Sequence, residues 1–469
     1  MKFILALHMA KLTRLAIKIV GLFSNINGSH FPGNVALKLD KDFLRDVGKP
    51  KTIITVTGTN GKTTTCNLII DLLEKAGYKV LNNKFGSNVR GGITTALLSG
   101  VSIFNRPKYD IAVLEVDERS SEYIYPYIKP TYSVITNLFR DSLKRNAHSE
   151  FIFNLINDAL ANETTLILNA DDLISNRAKE KTNERVFFGI EKQDNDGKES
   201  INIVNDARIC PICNEKLDYD FVRYHHIGRA YCKKCGYKSP KADYMIKSIN
   251  YDKQEIEVID NKNKVTEKYK MISDSIFNLY NEIAAITLLK ELKVPYETIK
   301  EGFDSVKITE ARYKKEEING VNIINHLAKG QNPVACSIIF KYLKEEKNEK
   351  ELVLLMEDYH DNRESSENIA WLYDCDFEFL NDENIKKIVV GGIRADDFKY
   401  RLQLAGVDED KIVAIANEEE IPNYLSLEQG KDTYILYDMY EQKIVDMVNK
   451  KIKEKIKEKS KVSGGGAND

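Results

Sequence analysis

The chain is 469 residues long and 42% hydrophobic, enough for several cores, because a single core stops growing at about 250–300 residues. Lysine and arginine total 69 against 71 acidic residues, for a formal net charge of -2. That balance excludes a general nucleic-acid binder held by a broad positive field. Of seven cysteines, Cys66, Cys336 and Cys375 are scattered singletons, which excludes a disulfide framework and suits a reducing compartment.

The N-terminal "MKFILALHMAKLTRLAIKIVGLF" begins like a signal peptide, but Lys11, Arg14 and Lys18 interrupt it and leave no apolar core of secretory length. Leu5, Met9, Leu12, Ala16 and Ile19 fall at helical spacing and draw one stripe on an amphipathic helix. The stripe is read as packing against the protein, in a helix-and-linker region over 1–48. A shallow peripheral contact with a membrane surface is the second reading. No other segment is long and apolar enough to span a bilayer. A cytoplasmic location is expected, with the inner face of the membrane as its variant.

From about 50 to 190 short β-branched runs alternate with helical ones. "TIITVT" (52–57) leads into a helix ending near Gly77, and "DIAVLEV" (110–116), "SVIT" (133–136) and "TLILN" (165–169) read as further buried strands. Apolar runs separated by helices mean a parallel α/β sheet. The first strand runs into "GTNGKTTT". A strand, a turn carrying Gly58 and Gly61, and a helix opening at Lys-Thr form an anion site, because helix N-terminal N–H groups point at a phosphate. In this P-loop, Thr57, Gly58, Thr59, Asn60, Gly61, Lys62, Thr63 and Thr64 are the candidate ATP-binding residues. Lys62 reaches the β- and γ-phosphates, and the Thr63 hydroxyl ligates Mg²⁺. One departure from the general pattern is Val56, where a glycine is usual.

"CPIC" and "CKKC", separated by residues 214–231, place Cys210, Cys213, Cys232 and Cys235 as two Cys-x-x-Cys hooks. Four thiolates complete a tetrahedron with no open position, so a structural Zn²⁺ is expected in an insertion at about 200–245. His225 and His226 lie between the hooks but are left out, since four sulfurs fill the shell. The helical "SIFNLYNEIAAITLLKEL" (275–292) then resumes the first domain, which spans 49–305. A second α/β domain over 306–450 has strands at "VNIIN", "ELVLLM", "KIVVGG" and "TYILY". The lysine-rich stretch from 451 to 469 reads as a solvated helix running into a basic disordered tail.

"GTNGKTTT" resembles the P-loop of the Mur ligases, which activate a carboxylate with ATP as an acyl phosphate and let an amine displace the phosphate. The resemblance implies a Mur ligase-type P-loop domain followed by a Rossmann-like C-terminal domain. "VLEVDERS" puts Glu115 where the family keeps a Mg²⁺-binding glutamate, with Asp117 and Glu118 continuing the acidic cluster. "TNLFRDSLKR", with Asn137, Arg140 and Asp141, and "LILNADD" also fit. "FNLYNEIAA" places Asn278 and Asn281 where the family contacts adenine. The four-cysteine insertion narrows the likeness to the MurT family, the synthetase subunits of lipid II isoglutaminyl synthase, whose partner is a GatD-like glutamine amidotransferase.

The same resemblance extends through the C-terminal domain. "ITEARYKKEE" resembles a Gly-Arg segment with Ala311 for glycine, and Arg312 is implied to approach the nucleotide phosphates. "HLAKGQNPVA" aligns Lys329 and Asn332 with altered spacing. Trp371, Asp374, Asp376, Phe377, Glu378 and Arg394 match family positions. Over 358–368 the family has an aspartate thought to complete the partner's Cys–His pair. Here Glu364, Glu367 and Asn368 are the candidates, and Glu364 is chosen.

An internal glutaminase needs a cysteine nucleophile paired with histidine, and none of the singleton cysteines has that context. The expected function is therefore an ATP-dependent carbon–nitrogen ligase. It would amidate the D-glutamate carboxylate of a lipid-linked cell-wall precursor, with Lys62, Glu115, Arg312 and Glu364 as catalytic candidates and ammonia from the partner. A stand-alone Mur-type peptide ligase acting on a murein or pseudomurein precursor is the alternative; a nucleotide-binding scaffold without catalysis is a more distant one.

Overall fold

The computed structural model describes residues 2–21, 30–84, 87–140, 148–306, 313–328, 332–356, 369–438 and 441–464. Asp141, Ala311, Arg312, Lys329, Glu364, Glu367 and Asn368 lie outside the described residues. The chain gathers into two compact units. The first takes Met1–Phe139, His148–Ile201 and Asn205–Ile308, and the second takes the remainder.

The first unit opens with helices α1 (Lys2–Gly21), α2 (Phe31–Leu39) and α3 (Phe43–Asp46), so two further helices occupy what the sequence reads as linker. Then follow β1 (Thr52–Thr57), α4 (Lys62–Lys75), β2 (Val80–Asn82), α5 (Arg90–Ser99), β3 (Ile111–Glu115), α6 (Ser121–Ile128), β4 (Tyr132–Ile135), α7 (Ser149–Ala159), β5 (Thr165–Asn169) and β6 (Arg185–Ile190). The hairpin β7 (Asp218–Tyr224) and β8 (Ile227–Tyr231) stands apart as its own small sheet. β9 (Tyr244–Asn250), β10 (Glu255–Asp260) and β11 (Val265–Lys270) rejoin the main sheet before α8 (Ile276–Glu291) and α9 (Tyr296–Ser305). Its order is β11-β10-β9-β6-β5-β4-β1-β3-β2, parallel from β2 to β9 and antiparallel beyond. β1 lies between β3 and β4 and is buried from Ile53 to Thr57, which is why it reads as a continuous run and not an alternation.

α1 does pack on this unit, but through the face opposite the predicted stripe. Ala6, Leu7 and Ala10 are buried and Phe3 stacks on Phe43 at 5.2 Å, whereas Leu5, Met9, Leu12 and Ile19 are exposed. Two alanines let the backbones come close, so the small-residue face takes the interior and the larger apolar one is left outside.

The second unit contains β12 (Tyr313–Ile318), β13 (Val321–Leu327), α10 (Pro333–Glu345), β14 (Lys350–Leu355), β15 (Ile385–Gly391), α11 (Ala395–Leu404), β16 (Ile412–Ile415), β17 (Asp432–Tyr437) and α12 (Gln442–Gly464). Strand order is β12-β13-β17-β14-β15-β16, parallel except for the β12–β13 hairpin. Alternate residues serve two cores: Leu352 and Leu354 join one, Val353 and Leu355 the other, as a period of two requires. The helix α12 carries the expected lysine-rich stretch on to Gly464, but it is not solvated all round. The reason is that Ile452 and Ile456 continue the spacing of Val445 and Val448 and are buried with them.

α8 is buried along most of its length, and Glu282 is buried within it. Burial pushes its pKa from the ordinary 4.5 up to about 8, against hydrogen bonds from the Ile272 and Ser273 backbone. A carboxyl with a raised folded pKa holds its proton more tightly in the native state. Stability therefore falls as pH climbs from about 4.5 towards about 8, with a slope of up to about 1.4 kcal/mol per pH unit. Glu282→Gln should remove that slope and be the more stable chain at the upper end of the window. Denaturation midpoints of the two chains, measured across the window, should diverge; parallel curves would show that Glu282 does not titrate there.

Candidate active site and metal centre

The turn from Gly58 to Gly61 joins the C-terminal end of β1 to α4. Gly58 has φ 128° and Gly61 φ 85°, both in the left-handed region that side chains disfavour. Space is also denied: a β-carbon on Gly61 would fall 2.2 Å from the Asn281 Oδ1, and one on Gly58 2.3 Å from the Thr136 Oγ1. Gly61 caps α4 without any side-chain acceptor, so the first-turn N–H groups of Lys62, Thr63 and Thr64 keep their capacity for an anion.

The loop is held from two sides. Asn137 accepts from the Asn60 N–H at 3.0 Å and donates to its carbonyl at 3.0 Å, while the Thr136 hydroxyl donates to that same carbonyl at 2.7 Å. The Thr59 hydroxyl accepts from the Phe139 N–H at 2.9 Å. From α8, Asn281 accepts from the Thr65 hydroxyl at 3.1 Å and donates to Asn278 at 3.2 Å. Asn281 is buried against the loop, and Asn278 in turn donates to the Ser273 hydroxyl at 2.9 Å.

The Lys62 ammonium donates to the Gly58 carbonyl at 2.5 Å and to the Glu118 carboxylate at 2.7 Å. Burial alone would lower its pKa, but Glu118, with Glu115 and Asp117 behind it, outweighs burial and raises it, so the lysine stays charged. Glu115 ends β3 in register with Val56 of β1. Its carboxylate accepts from Asn88 at 3.1 Å, and Asn83 brackets its backbone N–H and carbonyl. The acidic cluster and Lys62 thus face each other across adjacent strand ends, with Thr63 exposed at the start of α4. The donor set fits a magnesium nucleotide: fixed N–H groups and a lysine for phosphates, a hydroxyl and a carboxylate for the cation. Asn137, which the family resemblance marks in the sequence, is thus a loop-holding residue, whereas Asn83 and Asn88 carry no mark there, because an amide that orients a neighbour has no spacing signature.

The four ribbon sulfurs all lie within 4.8 Å of one another, close to the roughly 3.8 Å edge of a tetrahedral zinc–thiolate site. The two hooks are built alike. Asn214 and Gly236, each at left-handed φ, donate to the Cys210 and Cys232 carbonyls at 3.0 Å. His226 takes no part, its Nε2 meeting the buried Asp172 at 3.1 Å. In the second unit Asn332 caps α10, Trp371 packs edge-on to Phe398, and Glu378 pairs with buried Arg401 at 2.9 Å. Arg394 meets Asp397 at 3.4 Å.

A P-loop on a parallel sheet, a glutamate at the neighbouring strand end and a second α/β unit place the chain in the class of Mur-type ATP-dependent ligases. The sequence profile of the Mur ligase middle domain matches residues 56–228, and that of the MurT ligase C-terminal domain matches 329–440. The chain is 34% identical over 440 residues, 90% of its length and 95% of the relative's, to the lipid II isoglutaminyl synthase (glutamine-hydrolyzing) subunit MurT of Staphylococcus aureus strain COL. The subunit of the same name from Streptococcus pneumoniae R6 is 32% identical, over 87% of this chain and 89% of that one. The fold is similar to a pseudomurein peptide ligase type C from Methanothermus fervidus (TM-score 0.65, 21% identity, 91% and 85% covered). It is also similar to MurF from Thermotoga maritima in complex with ADP (TM-score 0.58, 16% identity, 90% and 85% covered). The chain belongs to the MurT family.

Gly61→Ala should weaken nucleotide binding on the order of a hundredfold. Gly77→Ala, equally left-handed at φ 87° but with nothing within 4 Å, should bind normally. Calorimetric titration with magnesium nucleotide separates the clash on Asn281 from backbone strain, and equal binding by both variants would deny the loop its role. Cys232→Ser should lose bound zinc by elemental analysis and lower the thermal midpoint by about 5 °C or more. An unchanged zinc content would remove the ribbon assignment.

Proposed function

We propose that this chain is the synthetase subunit of a lipid II isoglutaminyl synthase: it uses ATP to activate the D-glutamate carboxylate of a lipid-linked stem peptide for amidation. The carrying observation is 34% identity across 90% of this chain and 95% of the S. aureus MurT subunit, together with the loop that sets Lys62 beside the acidic strand ends. Lys62 and the first-turn N–H groups of α4 would hold the β- and γ-phosphates. Thr63 and Glu115 would hold Mg²⁺, which when bound offsets phosphate charge, and Asn278 would stand on the nucleoside side. Arg312 would add positive charge at the phosphates.

The substrate carboxylate oxygen attacks the γ-phosphorus, and the bond to the ADP oxygen breaks. Ammonia then attacks the acyl carbon, the carbon–oxygen bond to phosphate breaks, and one nitrogen proton is released to give the amide. Lys62 works as a fixed cation, an electrostatic role that needs no proton transfer.

Nitrogen is proposed to come from a GatD-like glutaminase subunit, with Glu364 oriented towards that partner's histidine. The state of the cysteines supports this division of labour. Four form the sulfur cluster, Cys66, Cys336 and Cys375 are buried, and burial pushes the Cys66 and Cys375 thiols up. A nucleophilic cysteine needs the reverse. Zinc is proposed to be structural.

Lys62→Ala should lower ATP-dependent amidation by about a thousandfold or more while the partner's hydrolysis of glutamine continues. Mass spectrometry of the product supplies the readout. Amidation at the normal rate by that variant would overturn the assignment of Lys62. A product carrying an added amino acid in place of ammonia would favour the stand-alone peptide ligase.

A further inference from the structure

The outward face of α1 is an apolar feature that the active site leaves unused. Ile4, Leu5, Met9, Leu12, Leu15 and Ile19 are between 43% and 60% exposed. At 100° per residue they share one broad stripe, with Lys2 and Lys18 exposed on its two edges. The opposite face is committed to the protein through Ala6, Leu7 and Ala10. Lys11 belongs to that anchoring side, since its ammonium donates to the Val101 carbonyl at 2.8 Å and the Leu98 carbonyl at 3.3 Å. The orientation of the helix is therefore fixed from behind, and the stripe cannot turn inward.

We propose that this face docks on an anionic lipid bilayer, with α1 lying in the interface plane. The charge pattern selects that occupant. Residues 1–39 contain Lys2, Lys11, Arg14, Lys18 and Lys38 and no aspartate or glutamate, the first acid being Asp40. A second copy of the chain would set the same lysine edges against each other across a two-fold axis, with no carboxylate on the helix to relieve them. An anionic headgroup layer complements those edges while the acyl boundary takes the stripe. No described helix is long and apolar enough to cross a membrane, which leaves surface docking as the geometry. The inference stands on α1 alone and does not need the reading of the active site.

Full-length protein is sedimented with vesicles of phosphatidylglycerol and phosphatidylcholine, and with vesicles of phosphatidylcholine only. Binding to the anionic vesicles is expected, and it should weaken with added salt. Leu12→Glu with Leu15→Glu should reduce it by about tenfold or more, and Lys2→Gln with Lys18→Gln by about fivefold per cation. All four positions are exposed, so an unchanged thermal midpoint checks the fold. The proposal is overturned if the parent chain stays in the supernatant, or if it binds neutral vesicles equally. It is also overturned if the leucine pair is without effect, or if light scattering finds a dimer abolished by that pair and no vesicle binding.

Discussion

The nucleotide chemistry of the first unit depends on one backbone turn that excludes a β-carbon. Gly61 holds φ 85° with the Asn281 amide standing where a β-carbon would go, and Gly58 holds φ 128° with Thr136 and Asn137 doing the same. Such a turn persists only where its surroundings over-determine it. Here they do: two β4-end residues grip the Asn60 carbonyl, and α8 supplies Asn281. The same bonds that fix the turn aim the first-turn N–H groups of α4 outward. Rigidity and anion affinity therefore come from one arrangement, and the loop need not be ordered when phosphate arrives.

A second constraint is electrostatic. "LILNADD" ends in two buried aspartates, and each docks part of the ribbon hairpin. Asp171 accepts from Arg229 at 3.1 Å and Tyr280 at 2.8 Å, and its carbonyl accepts from the Gly228 N–H at 2.7 Å. Arg223, buried beside Tyr280, pairs with Asp196 at 2.6 Å. A buried carboxylate left without partners costs about 3–5 kcal/mol, so the network strongly penalises any other seating of the hairpin. The small ribbon cluster of Leu173, Cys210, Leu217, Ala230 and Cys232 buries too little to set an orientation by itself.

What was legible in the sequence was whatever has a period or a spacing. β1 and β5 fall at the residues read for them, and α8 differs from its reading by one residue at each end, because buried strands and a long apolar helix announce themselves in composition. The paired hooks announce four sulfurs. Less visible were β2, of three residues, and the antiparallel extension β9–β11, whose alternating polar faces resemble surface sequence. The side of α1 turned inward was misread for a physical reason: hydrophobicity ranks the large residues first, whereas close packing selected Ala6 and Ala10. In the second unit, Glu378 matched a family position, and the structure gives that match a structural partner in Arg401.

The ribbon and the phosphate loop are connected through a short chain of contacts. The tip of the β7–β8 hairpin presents His226 to the Phe139 ring at 4.5 Å and Tyr224 to the Phe277 ring at 4.4 Å. Phe139 fixes the Thr59 hydroxyl through its backbone N–H, and Phe277 precedes Asn278, which holds Asn281. The hairpin therefore touches both sides of the loop at one remove. Four sulfurs that lock the hooks and two aspartates that seat the hairpin act on the same element from opposite ends. An insertion that looks peripheral in the sequence is thereby part of what keeps the phosphate turn in shape.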